Sequence, residues 1–261
     1  MCKALKNPET FVGLTYKHCF WFFLQERITF MTEIKLSKRL KAIANYIGQD
    51  IKKLADIGTD HAYLPCYICL NNESVYAIAS DVAKGPYELA VQQVKRLNLE
   101  NRIDVRLGDG LSTLHEDEVD CIVIAGMGGS LMQTILEAGL NKLHRVSRLV
   151  LQPNIDEKSV RQFAVNHQFE IVAEEILKED DHIYEILVLE KSTSDVNLSD
   201  KQLFFGPYLL ENKNNVFKEK WAEELKKKKQ ILNQMKRAKQ PNVIKMAQFE
   251  KEAMWIEEEL I

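Results

Sequence analysis

The stretch LADIGTDHAYLP, residues 54–65, gathers Asp56, Gly58, Asp60, His61 and Tyr63 around a turn with a single glycine. An apolar run that ends in a glycine turn is how a parallel strand delivers a ligand loop at its carboxyl end. A dinucleotide loop uses G-x-G-x-x-G, so that backbone amides can approach a pyrophosphate. Here Gly58 is followed by Thr59, Asp60, His61 and Ala62, and Asp60 would repel a phosphate. Carboxylates at Asp56 and Asp60 instead attract a ligand with a sulfonium or ammonium group.

Three further segments have the same form. In ASDVAKG, Asp81 and Val82 close an apolar run, and a carboxylate there can accept both hydroxyls of a ribose diol. A plain helix-capping role for Asp81 is the alternative. In RLGDGL, Asp109 and Gly110 form a turn whose carboxylate can accept from an adenine amine. IAGMGG supplies Ala125, Gly126, Met127, Gly128 and Gly129. Two nucleoside-binding carboxylates imply an adenosine cofactor, and the acidic first loop favours S-adenosyl-L-methionine over a nicotinamide dinucleotide.

The elements that must position these turns follow from hydrophobic period. Apolar runs suited to buried strands occur at 54–57, 75–79, 103–107, 119–125 and 149–151. Helical patterns separate them at 63–70, 87–97, 131–140 and 157–166. Alternating strands and helices predict a parallel sheet with right-handed crossovers. Two more runs, 171–177 and 183–189, are joined by a link too short for a crossover helix, so they must pair antiparallel. The spacing predicts an amphipathic helix over 32–51, whose Lys35, Lys38, Arg39 and Lys41 fall mostly off the apolar stripe. Residues 192–200 read as a polar linker. Beyond it, Phe217, Trp221, Leu225, Leu232 and Met235 mark one long helix, Pro241 interrupts it, and 243–261 form another.

Composition sets limits. The chain has 261 residues, a net charge of −3 and 46% hydrophobic residues, enough for a large core without disulfides. Five cysteines without a framework suit a reducing cytoplasm. Cys66 and Cys69 form one C-x-x-C pair, which reads better as two small apolar residues on a helix face than as a metal or redox site. No metal is expected. Residues 18–31 are aromatic-rich, yet too short and too charged to span a membrane. Regular patterning starts near Met31, so Met31 is expected to be the natural start and residues 1–30 an upstream extension, the alternative being a short ordered arm. His18, His115, His144, His167 and His182 receive no role.

Taken together, ADIGTDHAYLP, AIASDVAKGPYELA, RLGDGL, IAGMGG and LQPN resemble the TrmK family of bacterial tRNA (adenine-22-N1) methyltransferases. The resemblance covers about residues 36–191. It implies a class I, Rossmann-like methyltransferase fold with a mainly parallel seven-stranded sheet ending in an antiparallel hairpin, a domain at 31–191 and a helical, coiled-coil-like domain at 200–261. It implies S-adenosyl-L-methionine held by Asp56, Gly58, Asp60, His61, Asp81, Val82, Asp109, Gly110, Ala125, Gly126 and Met127. The Asn-Pro-Pro-aromatic motif of amino-group methyltransferases is absent, so amine methylation is not supported.

Adenine N1 carries an in-plane lone pair and needs alignment more than a strong base. His61 and Tyr63 are the candidate catalytic residues for orienting the base. Gly128, Gly129, Gln152, Pro153 and Asn154 are candidate substrate contacts, the two amides matching an adenine edge. Lys226, Lys227, Lys228 and Lys229 concentrate positive charge in the tail and are expected to grip tRNA phosphates. This division also predicts that the tail is dispensable for cofactor binding. A nicotinamide-dependent oxidoreductase and a non-catalytic RNA-binding module on the same fold are the alternatives. The oligomeric state stays open.

Overall fold

A computed structural model describes residues 34–237 and 242–261. The extension expected over 1–30 and the break at Pro241 lie outside the described residues. Residues Leu36–Ile261 group as one compact unit.

Seven strands form one sheet in the order β3-β2-β1-β4-β5-β7-β6. They are β1 (Lys53–Ile57), β2 (Tyr76–Asp81), β3 (Ile103–Leu107), β4 (Cys121–Gly128), β5 (Arg148–Ile155), β6 (Phe169–Glu179) and β7 (His182–Lys191). The first five run parallel, and β7 pairs antiparallel with both β5 and β6. Central strands covered on both faces become near-continuous apolar runs, as in Cys121, Ile122, Val123 and Ile124, all buried. The crossover helices are α2 (Tyr63–Asn71), α3 (Lys84–Arg96), α4 (Gly129–Ala138) and α5 (Glu157–Asn166), preceded by α1 (Lys38–Ile47). Met132, Leu136, Val160 and Phe163 from α4 and α5 close one face of the core.

The helix expected over 32–51 is shorter, for two local reasons. Ser37 caps it by accepting from Leu40 N, and Gly48 ends it at φ 82. The Glu179 carboxylate at the end of β6 also accepts from Lys38 N (2.6 Å) and Arg39 N (3.2 Å). A carboxylate on the free N–H groups of a helix start is favourable for both charge and hydrogen bonding. It ties α1 to the β6–β7 hairpin.

The tail begins with two short helices that the periodicity does not reveal, α6 (Asp200–Phe205) and α7 (Pro207–Glu211). Then come α8 (Asn215–Lys236) and α9 (Val243–Leu260). Lys229 pairs with Glu257 and Lys236 with Glu250, so seven residues forward on α8 match seven back on α9, and the pair is antiparallel. Phe205, Leu209, Phe217, Trp221 and Ile256 pack with Ile176 of β6 into a second core.

A buried ion cluster fastens this tail to the sheet. Arg161 of α5 donates to Glu174 Oε1 (2.7 Å) and to Glu185 Oε2 (2.6 Å). Lys220 of α8 donates to Glu185 Oε1 (2.7 Å) and Glu157 Oε1 (2.5 Å). The two cations hold the Glu185 carboxyl below its ordinary range against the cost of burial. Removing the tail would strip Lys220 from Glu185 and bare the apolar face around Ile176. That runs against a dispensable tail. Removing one partner from such a cluster strands a buried charge and costs about 3–5 kcal/mol. Arg161→Met is therefore expected to lower unfolding stability by that amount in urea titrations. A loss within ~0.5 kcal/mol, the range of an ordinary surface substitution, would show that Arg161 contributes no net stability to the cluster.

Candidate functional site

The strand order reverses between β1 and β4, the place where open α/β sheets bind ligands. A cleft of ≈ 570 Å³ lies at these carboxyl ends. One wall is Gly58, Asp60, Asp81 and Val82, and the floor is Ala125, Gly126 and Met127. The opposite wall is Arg39, Asn154, His182, Ile183 and Tyr184. A second hollow of ≈ 740 Å³ runs on between the hairpin and α8, sharing Asn154, His182 and Ile183 with the cleft.

On the loop wall, Gly58 N and Thr59 N both donate to Ser80 O at 2.8 Å, which draws the β1 turn onto the end of β2. Gly58 has φ 73, and a Cβ there would lie 2.1 Å from Met127 Cε, so only glycine lets Met127 lie over the turn. Thr59 donates to Asp56 Oδ2 (2.6 Å). Asp56 is buried behind the loop, and burial pushes its carboxyl up to about 6 despite Thr59 and Arg39. Asp60 is exposed and lies 3.1 Å from His61 Nε2. Asp81 Oδ1 accepts from Ala83 N (2.8 Å), so it caps its turn, and its second oxygen remains for a ligand.

His61 and Ala62 both have left-handed backbone, φ 59 and 54, which is costly for side chains with a Cβ. The His61 ring stacks on Tyr63 at 5.6 Å. Neither ring is part of the cleft wall. Asp109 and Gly110 follow β3, beyond Asp81, and are likewise outside the wall. Gly129 is buried against Asp156, where a Cβ would meet the carbonyl oxygen at 1.9 Å, so its smallness serves packing. Gly128 pairs with Ile155, and Pro153 with Met127, at the β4–β5 end of the sheet.

Gln152 is buried and its amide is saturated. Oε1 accepts from Arg39 Nη1 (2.5 Å) and Gly126 N (3.2 Å). Nε2 donates to Pro153 O (2.9 Å) and Asn154 Oδ1 (3.1 Å). It has no capacity left for a base edge, contrary to the expectation from its residue type. Asn154 is exposed in the cleft.

His182, Ile183 and Tyr184 are wall residues to which the sequence gave no role, and Arg39 entered only as one of the basic residues of the first helix. The Arg39 guanidinium sits 5.3 Å from the Tyr184 ring centroid, and His182 and Tyr184 lie 6.2 Å apart. The signal was available in principle. A strand that returns antiparallel begins where its parallel neighbours end, so the first residues of β7 must face the ligand edge.

The lysine run is largely engaged. Lys227 pairs with Glu224 (2.8 Å) and Lys229 with Glu257 (2.6 Å). Lys228 pairs with Glu252 and lies over the Phe204 and Phe249 rings. Lys226 is exposed. Cys66 and Cys69 are buried on α2, with thiols pushed up to about 12 and about 11 by burial. Among the described residues no cluster could hold a metal ion, and no helix is long and apolar enough to cross a membrane.

Comparison with known proteins gives one consistent result. The family described as tRNA (adenine(22)-N(1))-methyltransferase, TrmK, matches residues 54–258. The Bacillus subtilis tRNA (adenine(22)-N(1))-methyltransferase is 44% identical over 213 residues, 80% of this chain and 89% of that protein. The crystal structure of the B. subtilis M1A22 tRNA methyltransferase TrmK is similar with a TM-score of 0.82 at 39% identity, covering 88% of this chain and 100% of that one. A putative tRNA (m1A22) methyltransferase from Streptococcus pneumoniae, in complex with S-adenosyl-L-methionine, gives 0.78 at 39% identity over 87% and 100% of the two chains.

The buried charge of Asp56 can be tested without any ligand. A carboxyl at about 6 when folded and 3.8 otherwise binds a proton in the folded state first. Its contribution to stability therefore declines as pH rises from about 4 to about 6 and stays lost above that. Asp56→Asn is expected to remove this decline and to stabilise the ligand-free protein at pH 7–8. Chemical denaturation across pH 4–8 checks it, and a variant less stable than the parent at pH 8 would contradict it.

Proposed function

The chain belongs to the TrmK family of tRNA (adenine(22)-N(1))-methyltransferases, and from that premise we propose that it transfers a methyl group from S-adenosyl-L-methionine to N1 of adenine 22 in tRNA through the cleft described above. The observation that carries this reading is the opposition of two walls. Acidic turns at the ends of β1 and β2 face a polar and aromatic wall across a floor of Ala125, Gly126 and Met127.

The residues present fit a cationic adenosine cofactor. Gly58 and Gly126 have positive φ and line the cleft together with the carboxylates of Asp60 and Asp81. Asp81 would hold the ribose diol, with Val82 beside it. Asp56 and Asp60 would favour the positive end, and Asp109 and Gly110 the ring end. Ala125, Gly126 and Met127 would underlie it. S-adenosyl-L-methionine supplies an activated methyl on sulfonium when bound.

The chain's own task is then to hold the base. N1 attacks through a lone pair that neutral adenine already has, so alignment and exclusion of water are what the cleft must supply. The methylated base is cationic, and the carboxylates of Asp60 and Asp81 on the facing wall are suited to that charge. His61 and Tyr63 stack outside the wall, so the base-facing role passes to Asn154, His182 and Tyr184. A base in folded tRNA must leave its stack to enter such a cleft. Exposed Lys226, and Lys227 and Lys229 in weak surface pairs, remain available to phosphates. Lys228 is committed to the α8–α9 contact.

Asp81→Ala is expected to weaken S-adenosyl-L-methionine binding by about 1.5–3 kcal/mol, the worth of a charged hydrogen bond. Calorimetry checks it, and unchanged affinity in the folded variant would remove Asp81 from the ribose site. Transfer of labelled methyl to a tRNA transcript with adenine at 22, and not to one with guanine there, tests the reaction. Equal labelling of both would refute the position.

A further inference from the structure

The polar wall of the cleft is a chain of hydrogen bonds whose polarity is fixed at both ends. Arg39 and Gly126 N can only donate, and both point at one oxygen of Gln152. The Gln152 amide therefore cannot turn over, and its nitrogen must face Asn154. Asn154 must answer with its oxygen. Its nitrogen in turn donates to Gly126 O (2.8 Å), which can only accept. Each amide is locked by a neighbour that has no alternative. After these bonds, Asn154 retains one N–H and one oxygen lone pair, and it is exposed in the cleft.

We propose that Asn154, held in this orientation by Arg39 through Gln152, reads the N6/N7 edge of the target adenine and so leaves N1 free for methylation. The proposal rests on the methyltransferase reading above. Adenine offers a donor at N6 and an acceptor at N7, which match one oxygen lone pair and one N–H. A contact on that edge does not occupy the N1 lone pair. Guanine presents acceptors at both O6 and N7, so its O6 would face the Asn154 oxygen, and the same group selects the base. Arg39 is a positioning residue here. It is kept in place by Glu179 at its backbone N–H (3.2 Å) and by the Tyr184 ring.

The test uses the full chain, S-adenosyl-L-methionine and two tRNAs, one with adenosine and one with 7-deazaadenosine at position 22. The analogue keeps N1 and N6 and loses only the N7 acceptor. The parent protein is expected to methylate the analogue with kcat/KM lower by about 2- to 13-fold, the worth of one hydrogen bond. Asn154→Ala is expected to be slower on normal tRNA and to lose the difference between the two substrates. Arg39→Met is expected to keep S-adenosyl-L-methionine affinity and lose most of that difference, with Arg39→Lys restoring part of it. A merely structural role for Arg39 would lower both rates and leave their ratio unchanged. Equal rates of the parent on both tRNAs, or an undiminished ratio in Asn154→Ala or Arg39→Met, overturn the proposal while methylation of normal tRNA leaves the function standing. Failure of the parent to methylate normal tRNA overturns both.

Discussion

Glu185, held between Arg161 and Lys220, is the interaction on which the rest of the arrangement depends. It sits on β7, the strand that returns antiparallel beside β5. Adjacent strand residues point to opposite faces. Glu185 therefore engages the tail-side cluster while Tyr184 turns toward the cleft. The same hairpin carries Glu179, which fixes the start of α1 and with it Arg39. One antiparallel return thus links the tail, the first helix and the base-facing wall.

This linkage gives the tail a meaning beyond charge. A run of four lysines reads as a phosphate grip when the sequence is scanned locally. In the fold, α9 lies alongside with Glu252 and Glu257. Exposed pairs of this kind are worth little, so phosphates can compete for Lys227 and Lys229, whereas Lys228 is held by a carboxylate and two aromatic rings. The tail is a packed part of the unit, with its own aromatic core around Phe205, Phe217 and Trp221.

The central parallel strands and the turns at their carboxyl ends were legible because burial on both faces leaves a continuous apolar run ending in glycine or aspartate. The hairpin was legible from a link too short for a crossover. Other features were not. Helices α6 and α7 are too short to show a period, although Ser199 and Gln202 form a capping box that marks the start of α6. The partners of Lys228 and Lys229 lie on another helix. Gln152 and Asn154 are the same chemistry in sequence, and only their neighbours show that one is saturated and the other open. Arg39 reads as one of several surface cations until Glu179 and Tyr184 are seen to hold it. His61 and Tyr63 look functional by position at a strand end, yet a left-handed turn at His61 and Ala62 carries them off the cleft wall.

The most direct measurement of this account is the structure of the protein bound to S-adenosylhomocysteine and a tRNA with adenine at position 22. The extruded adenine is expected between the floor of Ala125, Gly126 and Met127 and the β7 wall, with Asn154 on its N6/N7 edge, Tyr184 beside it and N1 directed toward the sulfur. An adenine held between His61 and Tyr63, outside that wall, would contradict it.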